Sequence, residues 1–315
     1  MRNKLKKNLI VCITPLQMLI AKKIIALHPE SSFDFLCLYY DDNSKYEYYY
    51  HELKKVCNKS ERFLIKNENI FLRIFMFLKF FLFLRKNFET HYNSIFISSI
   101  DSFLVHFLCS KIAYKNIKTF DDGIANIHQD GIYFCRKKIS LGRKFFLKIF
   151  RINHDKELLI EKTETHYTIF KDIVNVTSRT FFLEMAENNN KGELRKEINI
   201  FLGQPFKEYK LSTEINIVSI LKNLKIDQYY PHPREKEINL NIKIVKSNLI
   251  IEDYVLELIK SGFKVRVYAF LSTALINMQS IKGVEVYLIH NNELYKKYKS
   301  LYDVFEKAHI PVIYL

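Results

Sequence analysis

Continuous apolar runs alternate with amphipathic segments along most of the chain. Residues 8–13 are almost wholly apolar, which is typical of a strand covered on both faces. Thr14 and Pro15 follow as an N-cap and a first-turn proline, so we predict a helix over residues 16–27. This alternation predicts an α/β fold with parallel sheets and right-handed crossovers. Further strands of the first half are predicted at 33–40, 94–99 and 117–120.

The alternation is interrupted in the middle of the chain and then begins again. The polar stretch 188–192 is the best linker candidate, and it follows a less regular region in which a helix is predicted over 180–186. Strands and helices resume after the linker and end with a long helix over 292–307 and a terminal strand over 310–315. We therefore predict two Rossmann-like domains, 1–187 and 193–315, with the last helix able to pack back on the first domain.

Two adjacent carboxylates stand at the end of one predicted strand. The β-prone residues 116–120 run directly into Asp121, Asp122 and Gly123. Open parallel sheets bind ligands at the carboxyl ends of their strands, and a carboxylate placed there suits a general base. The same residues also fit a surface turn, or a helix N-cap in the case of Asp121. From the pattern alone, either carboxylate could be the working group.

Other polar groups also fall at predicted strand ends or helix starts. If the two domains face each other across a cleft, these groups bring a carboxylate, a histidine and a helix N-terminus together. Free N–H groups and hydroxyls at a helix start suit a phosphate. Each residue also has a simpler role, as a helix cap or as part of a rigid turn between prolines. The residues are Thr14, Asp101, Gly203, His232, Ser272 and Thr273.

Charge and cysteine content restrict the classes of partner and site. The 315-residue chain carries a formal net charge of +15, which favours nucleic acid, an acidic membrane or an anionic substrate as partner. It contains no nucleic-acid-reading motif, no GxGxxG and no Walker A sequence. The cysteines are odd in number and lack a CxxC pair, which predicts buried thiols in a reducing compartment and no zinc site. They are Cys12, Cys37, Cys57, Cys109 and Cys135.

Two segments are candidates for contact with a membrane. Residues 70–84 are the most apolar stretch, but Arg73 and Lys79 interrupt it and it is too short to span a bilayer. A buried helix is the simpler interpretation, and a helix lying on the membrane face is the alternative. Residues 136–151 are basic and aromatic and are predicted to be helical. No secretory signal is evident, so we expect a cytoplasmic protein.

Six short stretches stand out together: 10–17 (IVCITPLQ), 120–123 (FDDG), 203–205 (GQP), 230–235 (YPHPRE), 251–254 (IEDY) and 270–275 (FLSTAL). They resemble the bacterial sialyltransferases of glycosyltransferase family 52, the group that sialylates lipooligosaccharide. They occur in collinear order over most of the chain. The Asp-Asp-Gly and His-Pro pair is shared more widely among bacterial sialyltransferases, whereas the whole series is specific to the family. One departure is Thr273, where a second serine is usual.

The resemblance implies a GT-B-type fold, in which two Rossmann-like domains face a central cleft. It also implies CMP-sialic acid as the donor, inverting transfer, and neither a metal nor a separate cofactor. Asp122 would be the general base, and protonated His232 would assist departure of the CMP phosphate. The implied donor-binding residues are Gly203, Gln204, Pro233, Glu252, Ser272 and Thr273. Candidates for acceptor contacts or accessory roles are Thr14, Gln17, Asp101 and Asp121.

The expected function is transfer of sialic acid to a terminal galactose-type hydroxyl of a lipooligosaccharide or related surface glycan. We expect no nucleic-acid partner, and candidate features are a homodimer and peripheral contact with the inner face of the inner membrane. A glycosyltransferase of the same fold using another sugar nucleotide is the alternative among enzymes. A basic nucleic-acid-binding protein is the alternative from another class, although carboxylates at the strand ends would repel phosphates and no stacking platform is evident.

Overall fold

The computed structural model divides the chain into two compact units. The first unit comprises Met1–Thr168 and Val174–Leu183, and the second comprises Ile169–Ile173 and Glu184–Leu315. The predicted linker 188–192 lies outside the described residues. The structure describes residues 6–40, 43–65, 70–135, 141–185, 196–209, 215–232, 234–235 and 239–314.

Strands and helices alternate along the first unit. Its first helix begins at a capping box, in which Thr14 accepts from the Gln17 amide and the Gln17 side chain accepts from the Thr14 amide. Pro15 at the first helical position completes this start signal. The elements are β1 (Lys6–Cys12), α1 (Pro15–Ala26), β2 (Ser31–Tyr39), α2 (Ser44–Lys54), β3 (Lys59–Leu64), α3 (Ile70–Asn87), β4 (His91–Ile97), α4 (Phe103–Lys111), β5 (Ala113–Phe120), α5 (Leu141–Ile149), α6 (Lys156–Lys162), β6 (Thr163–Thr168) and β7 (Thr180–Phe182).

The sheet of the first unit has seven parallel strands within the described residues, in the order β3-β2-β1-β4-β5-β6-β7. Chain order reverses between β1 and β4, and open sheets bind ligands in the crevice beside such a switch point. Thr14 follows β1, Asp101 follows β4, and Asp121 and Asp122 follow β5. The predicted placement of these residues along one sheet edge is therefore confirmed.

Aromatic side chains join the helices of the first unit to its sheet. The rings of Phe63 in β3 and Phe80 in α3 lie 4.7 Å apart, and Phe77 in α3 lies 5.4 Å from Phe107 in α4. All four are buried. Since burial of one such side chain contributes about 1.5–3 kcal/mol, α3 is held mainly by this row of rings.

The second unit repeats the same architecture. Gly262 follows its longest described helix at φ 86°, the left-handed conformation predicted for a helix C′ position. Its elements are β8 (Lys196–Leu202), α7 (Phe206–Tyr209), α8 (Ile217–Asn223), β9 (Gln228–Tyr230), β10 (Lys243–Ile244), α9 (Ile251–Lys260), β11 (Phe263–Ala269), α10 (Ala274–Met278), β12 (Val284–Ile289), α11 (Asn292–Lys297), α12 (Lys299–Lys307) and β13 (Val312–Ile313).

The sheet of the second unit has six parallel strands in the part of the chain that is described, in the order β10-β9-β8-β11-β12-β13. Its order reverses between β8 and β11, which makes this the switch point of the second unit. Gly203 follows β8, His232 follows β9, and Ser272 follows β11. These three residues, all predicted to act on the donor, therefore lie at the carboxyl ends of strands at or next to the switch point of the second sheet.

Two predicted helices are wrong. Residues Thr180–Phe182 form the edge strand β7, in which Phe181 pairs with Tyr167 of β6, because β-branched and aromatic side chains suit an edge strand. The long helix over 292–307 is broken at Tyr298, whose φ of −126° and ψ of 39° are not helical. The Tyr298 ring lies 5.9 Å from the ring of Tyr209 at this point.

The cysteines are free, but they are not all buried. Burial raises the pKa of the Cys57 and Cys109 thiols to about 12, so both are poor nucleophiles at neutral pH. Cys135, in contrast, is exposed, and the expectation that it is buried is wrong because it lies in the turn-rich loop after β5. None of the helices in the described ranges is long and apolar enough to cross a bilayer.

Candidate active site

The two adjacent carboxylates at the end of β5 have different environments. Asp121 is fully buried, and its oxygens receive hydrogen bonds from Thr168 Oγ1 at 2.8 Å and lie 2.9 Å from His166 Nε2. Thr119 Oγ1 lies 2.8 Å from the other ring nitrogen of His166. This buried network satisfies Asp121 inside the sheet, so it has the structural role and His166 is a satisfied core group.

Asp122 is half-buried, and both of its carboxylate oxygens are held from the protein side. Gln17 Nε2 donates to Oδ1, and the Tyr133 hydroxyl donates to Oδ2. The backbone N–H of Asp122 donates to Asn126 Oδ1 at 2.6 Å. Gly123 follows at φ 56°, a left-handed conformation that turns the chain away from the strand. Asp122 is therefore the carboxylate of the pair that an acceptor could reach.

The other predicted accessory residues of the first unit lie around this carboxylate in different roles. Thr14 is half-buried and caps α1, and Gln17 is fully buried, so Gln17 contacts Asp122 and not solvent. Asp101 is half-buried, and its negative charge contributes to raising the pKa of Tyr133. The predicted cap of α4 by Asp101 is wrong, since Ser102 is the N-cap and makes no side-chain capping bond.

In the second unit, Gly203 lies against the side chains of Glu235 and Tyr229. A Cβ at Gly203 would stand 2.6 Å from the Tyr229 hydroxyl oxygen and closer still to Glu235 Oε2. Glu235 Oε1 accepts from the Tyr229 hydroxyl at 2.6 Å, and Oε2 accepts from the His232 backbone N–H at 2.7 Å. Burial raises the pKa of Glu235. Glu235 thus ties the end of β9 to the loop after β8, where the buried Gln204 follows Gly203.

The imidazole of His232 is held in one tautomer by its neighbour. His232 Nδ1 accepts a hydrogen bond from the Arg234 backbone N–H at 3.1 Å. A ring nitrogen that accepts carries no proton, so the neutral ring in this geometry bears its proton on Nε2. An Nε2–H group can donate to a phosphate oxygen, whereas the predicted imidazolium would have to break the bond to Arg234. The predicted donor residue Pro233 lies outside the described residues.

The remaining predicted donor residues lie on α9 and α10. Glu252 is buried in the first turn of α9, and its Oε1 accepts from Asn277 Nδ2 of α10 at 2.8 Å. Ser272 and Thr273 are half-buried, and the N-cap residue Thr273 makes no side-chain capping bond. Their hydroxyls are therefore placed at the carboxyl end of β11 without serving the helix start.

Sequence reasoning missed the residues that hold the predicted groups in place. Tyr133 lies in an irregular loop, and no spacing pattern connects it to Asp122. Glu235 and Tyr229 flank the Pro-His-Pro stretch, and this symmetrical placement is the signal from which their roles could have been found. The described residues contain no group of three His, Cys, Asp or Glu side chains able to hold a metal ion, and the absence of a metal from the reaction stays a prediction.

A family model decides between the alternatives left by the sequence. The model described as glycosyltransferase family 52 matches residues 33–293, which is most of the chain. The chain belongs to this family. The predicted enzyme class is thereby confirmed, and the alternative of a nucleic-acid-binding protein is disfavoured. The match includes Asp122, His232 and Ser272, whereas the capping box at Thr14 precedes it.

Curated relatives and solved structures agree with membership of family 52. The chain is 32% identical to a CMP-N-acetylneuraminate:beta-galactoside alpha-2,3-sialyltransferase of Pasteurella multocida, over 97% of this chain and 98% of that protein. It is 31% identical to an N-acetyllactosaminide alpha-2,3-sialyltransferase of Haemophilus influenzae, over 95% and 96%. A UDP-N-acetylglucosamine 2-epimerase structure from Rickettsia bellii superposes with a TM-score of 0.50 and 12% identity, over 93% of this chain and 81% of that one.

The predicted α/β fold of GT-B type, with two Rossmann-like units, is confirmed by the two parallel sheets and this structural likeness. Asp122 and its partners belong to the first unit, and His232, Glu252 and Ser272 belong to the second. That the two units face each other across a cleft stays a prediction, as does a homodimer of this family 52 protein.

Proposed function

We propose that this protein transfers sialic acid, with inversion, from CMP-sialic acid to the 3-hydroxyl of a terminal galactose on a lipooligosaccharide or related surface glycan. Donor, acceptor sugar and linkage are those in the names of its relatives from Pasteurella and Haemophilus. The observation that carries the proposal is the unequal pair at the end of β5. The Asp121 carboxylate is hydrogen-bonded within a buried network, whereas Asp122 is half-buried and two hydrogen bonds fix its orientation.

The chemistry assigns one task to each group. Asp122 takes the proton of the acceptor hydroxyl while the hydroxyl oxygen attacks the anomeric carbon of sialic acid, and CMP departs with the bonding electron pair. Nε2–H of His232 donates to the phosphate oxygens, which gain negative charge as the bond breaks. The hydroxyls of Ser272 and Thr273 add donors to the same phosphate. Glu252, fixed by Asn277, is suited to accept a hydrogen bond from a ribose hydroxyl.

A transfer assay tests the proposal directly. The purified protein is incubated with CMP-sialic acid and a lactose-terminated acceptor, and the linkage of the product is determined by NMR. We expect a 2,3-linked product. The same incubation with UDP-hexoses is the comparison, and transfer from one of them without transfer from CMP-sialic acid would replace sialic acid by another sugar.

Nucleotide binding gives a second measurement that needs no acceptor. A ligand that binds only the folded state at 100 times its Kd stabilises the protein by about 2.7 kcal/mol. CMP should therefore raise the melting temperature, and UDP at the same concentration should not. Equal stabilisation by both nucleotides would argue against a site selective for cytidine.

We place the protein at the inner face of the inner membrane, held by one apolar and basic surface on α3 and α5. The two helices are adjacent, since the rings of Phe77 and Phe146 lie 5.1 Å apart. Both present large apolar side chains to solvent, with Phe75 66% and Phe145 68% exposed. The exposed apolar residues of this α3–α5 face are Ile74, Phe75, Leu78, Leu82, Phe145 and Ile149.

Charge supports the proposal that the α3–α5 face binds an anionic bilayer. The sequences of both helices contain lysine and arginine but no aspartate or glutamate. A second copy of the chain docking through the same face would bring like charges together, which is unfavourable. Near an anionic leaflet each basic side chain instead contributes about 1 kcal/mol, in addition to burial of the apolar residues. The exposed basic residues are Lys79, Arg85, Lys86, Lys144 and Lys148.

Vesicle flotation tests this placement. The protein should float with phosphatidylglycerol vesicles at low salt, and high salt or purely phosphatidylcholine vesicles should reduce binding. Replacing Phe75 and Leu82 by serine should weaken flotation. Val218→Ser is the matched control, because Val218 is 65% exposed on a helix of the other unit. Absence of binding to anionic vesicles at low salt would refute the membrane surface and leave the transfer reaction untouched.

A further inference from the structure

The side chain of Asp122 is gripped on both oxygens by residues that solvent does not reach. Gln17 is completely buried and Tyr133 is 3% exposed, whereas Asp122 is half-buried. Each carboxylate oxygen has two lone pairs, and these two bonds use one on each oxygen. The core side of the carboxylate is therefore occupied, and a lone pair remains on each oxygen for a group that arrives from solvent.

The orientation of the Gln17 amide is fixed by its other contacts. Its Oε1 accepts from the backbone N–H groups of Ile13 at 2.5 Å and Thr14 at 3.3 Å. Its Nε2 donates to Ser99 Oγ at 3.0 Å as well as to Asp122. A flipped amide would set its oxygen against the Asp122 carboxylate and its NH₂ against two N–H donors. Gln17 is therefore a permanent donor to Asp122, set by the strand β1 and the start of α1.

Tyr133 is likewise held in its donor form. Burial and the nearby Asp122 charge raise the pKa of its hydroxyl well above its usual range, so the proton stays on Tyr133. The other titratable groups around Asp122 are Tyr40, whose pKa is raised by burial and by Asp122, and Asp101, which acts on Tyr133. Asp121 is directed to His166 instead.

We propose that Tyr133 and Gln17 are positioning residues for the base Asp122, which orient its carboxylate toward the acceptor by donating one hydrogen bond to each oxygen. The inference rests on the proposed function, because it concerns the same proton transfer. Hydrogen bonds to the charged form of a carboxylate favour that form. They also fix its direction, and a misplacement of about 1 Å can reduce the rate about 100-fold.

Two substitutions separate orientation from charge. Tyr133→Phe removes one donor and keeps the ring in the core. We expect kcat to fall about 10- to 100-fold, the KM for CMP-sialic acid to stay unchanged, and the acid limb of the pH–rate profile to move up by about one to two units. Gln17→Glu keeps the size of the side chain but sets a second carboxyl against Asp122, so the acid limb should move up further than in Tyr133→Phe.

The control is a second buried tyrosine that donates to an aspartate, located at the amino end of the strands and not at their carboxyl end. Tyr92 is fully buried at the amino end of the sheet and its hydroxyl donates to the buried Asp34 at 2.8 Å. Tyr92→Phe should therefore lower the melting temperature as Tyr133→Phe does, without moving the acid limb or kcat. Gln17→Asn provides a further check, because it keeps an amide donor but on a shorter side chain. This variant should be less active than the wild type, without the large shift of the acid limb that is expected for Gln17→Glu.

A measurement without substrate keeps this inference separate from the proposed function. The protein is labelled with carboxyl-¹³C aspartate, the Asp122 signal is assigned with Asp122→Asn, and its titration midpoint is followed by NMR. The midpoint should rise in Tyr133→Phe and Gln17→Glu and stay constant in Tyr92→Phe. An unchanged midpoint and acid limb in Tyr133→Phe would overturn the inference. A wild-type protein that transfers nothing from CMP-sialic acid would overturn the function, while the NMR titration still decides the role of Tyr133 and Gln17.

Discussion

A methyl group at Gly203 should disrupt the loop that carries His232. The space where a Cβ would stand is occupied by Glu235 Oε2 and by Tyr229, whose hydroxyl oxygen and Cε1 would lie 2.6 and 2.7 Å away. Real Cβ atoms do not tolerate such distances, so Gly203→Ala must displace one of the two side chains. Tyr229 is buried and stacked on Phe201 at 5.6 Å, which leaves Glu235 as the group that moves.

The cost follows from the bonds that Glu235 would lose. It accepts from the His232 backbone N–H at 2.7 Å and from the Tyr229 hydroxyl at 2.6 Å. A hydrogen bond to a charged group contributes about 1.5–3 kcal/mol, and overpacking alone costs about 1–3 kcal/mol. We expect Gly203→Ala to lower the free energy of unfolding by about 3–6 kcal/mol, which corresponds to loss of both bonds. It should also weaken CMP binding, because His232 loses its anchor.

Urea unfolding and CMP titration of Gly203→Ala measure both effects. Gly142→Ala is the matched control, since a Cβ at Gly142 meets nothing within 4 Å, and alanine in that helix should be neutral or stabilising. In the Glu235→Ala background the cost of Gly203→Ala should shrink, because the displaced carboxylate is already absent. Strictly additive costs of the two substitutions would refute the reasoning.

Three further outcomes follow from the site and its surroundings. Asp122→Asn should reduce turnover about 100- to 10,000-fold with CMP affinity nearly unchanged, whereas Asp121→Asn should mainly lower stability; near-normal turnover of the former would exclude it as the base. His232→Ala should weaken CMP binding and lower kcat without changing the alkaline limb of the pH–rate profile, since the neutral ring already donates from Nε2; loss of that limb in the variant would show that the imidazolium is the working form. The hydrogen bond from Lys264 lowers the pKa of Glu285 to about 2 from 4.5, so its stabilisation is present above pH 4.5 and is lost as pH falls toward 2. Glu285→Gln should remove that pH dependence, which acid titration of unfolding measures. Its cost at neutral pH should be within about 1 kcal/mol, since solvent still reaches both side chains, Lys264 being 33% and Glu285 36% exposed.

Hydrophobic patterning was sufficient to predict the strands and helices that alternate in both units. The apolar run before Thr14, the strand before Asp121 and the turn at Gly262 all obey local rules, because burial on both faces and a left-handed glycine leave direct traces in sequence. The edge strand Thr180–Phe182 leaves no such trace. Its three residues are all exposed, and only pairing with β6 makes them a strand.

The contacts that support the site could not be predicted for a different reason, although Gln17 itself is among the predicted accessory residues. The hydrogen bond between Tyr133 and Asp122 joins a loop to a strand end. The hydrogen bond between Gln17 and Asp122 joins residues that are far apart in the sequence, one after β1 and one after β5. Neither depends on a spacing that recurs. Glu235 was visible beside His232, and its placement opposite Tyr229 was a signal, but its bonds to both residues and its close approach to Gly203 are properties of three-dimensional packing.

The order of the two carboxylates after β5 has a physical reason. Successive side chains of an extended chain point to opposite sides, so one of two adjacent residues at a strand end must turn inward. Asp121 turns inward, and a buried carboxylate without partners would be strongly destabilising, so His166 and Thr168 of the neighbouring strand β6 must accompany it. Asp122 then turns outward at the switch-point edge, where Gln17 from the adjacent crossover meets it. The two residues are therefore not interchangeable: the inner carboxylate anchors β5 to β6 and thereby sets the position from which the outer one acts.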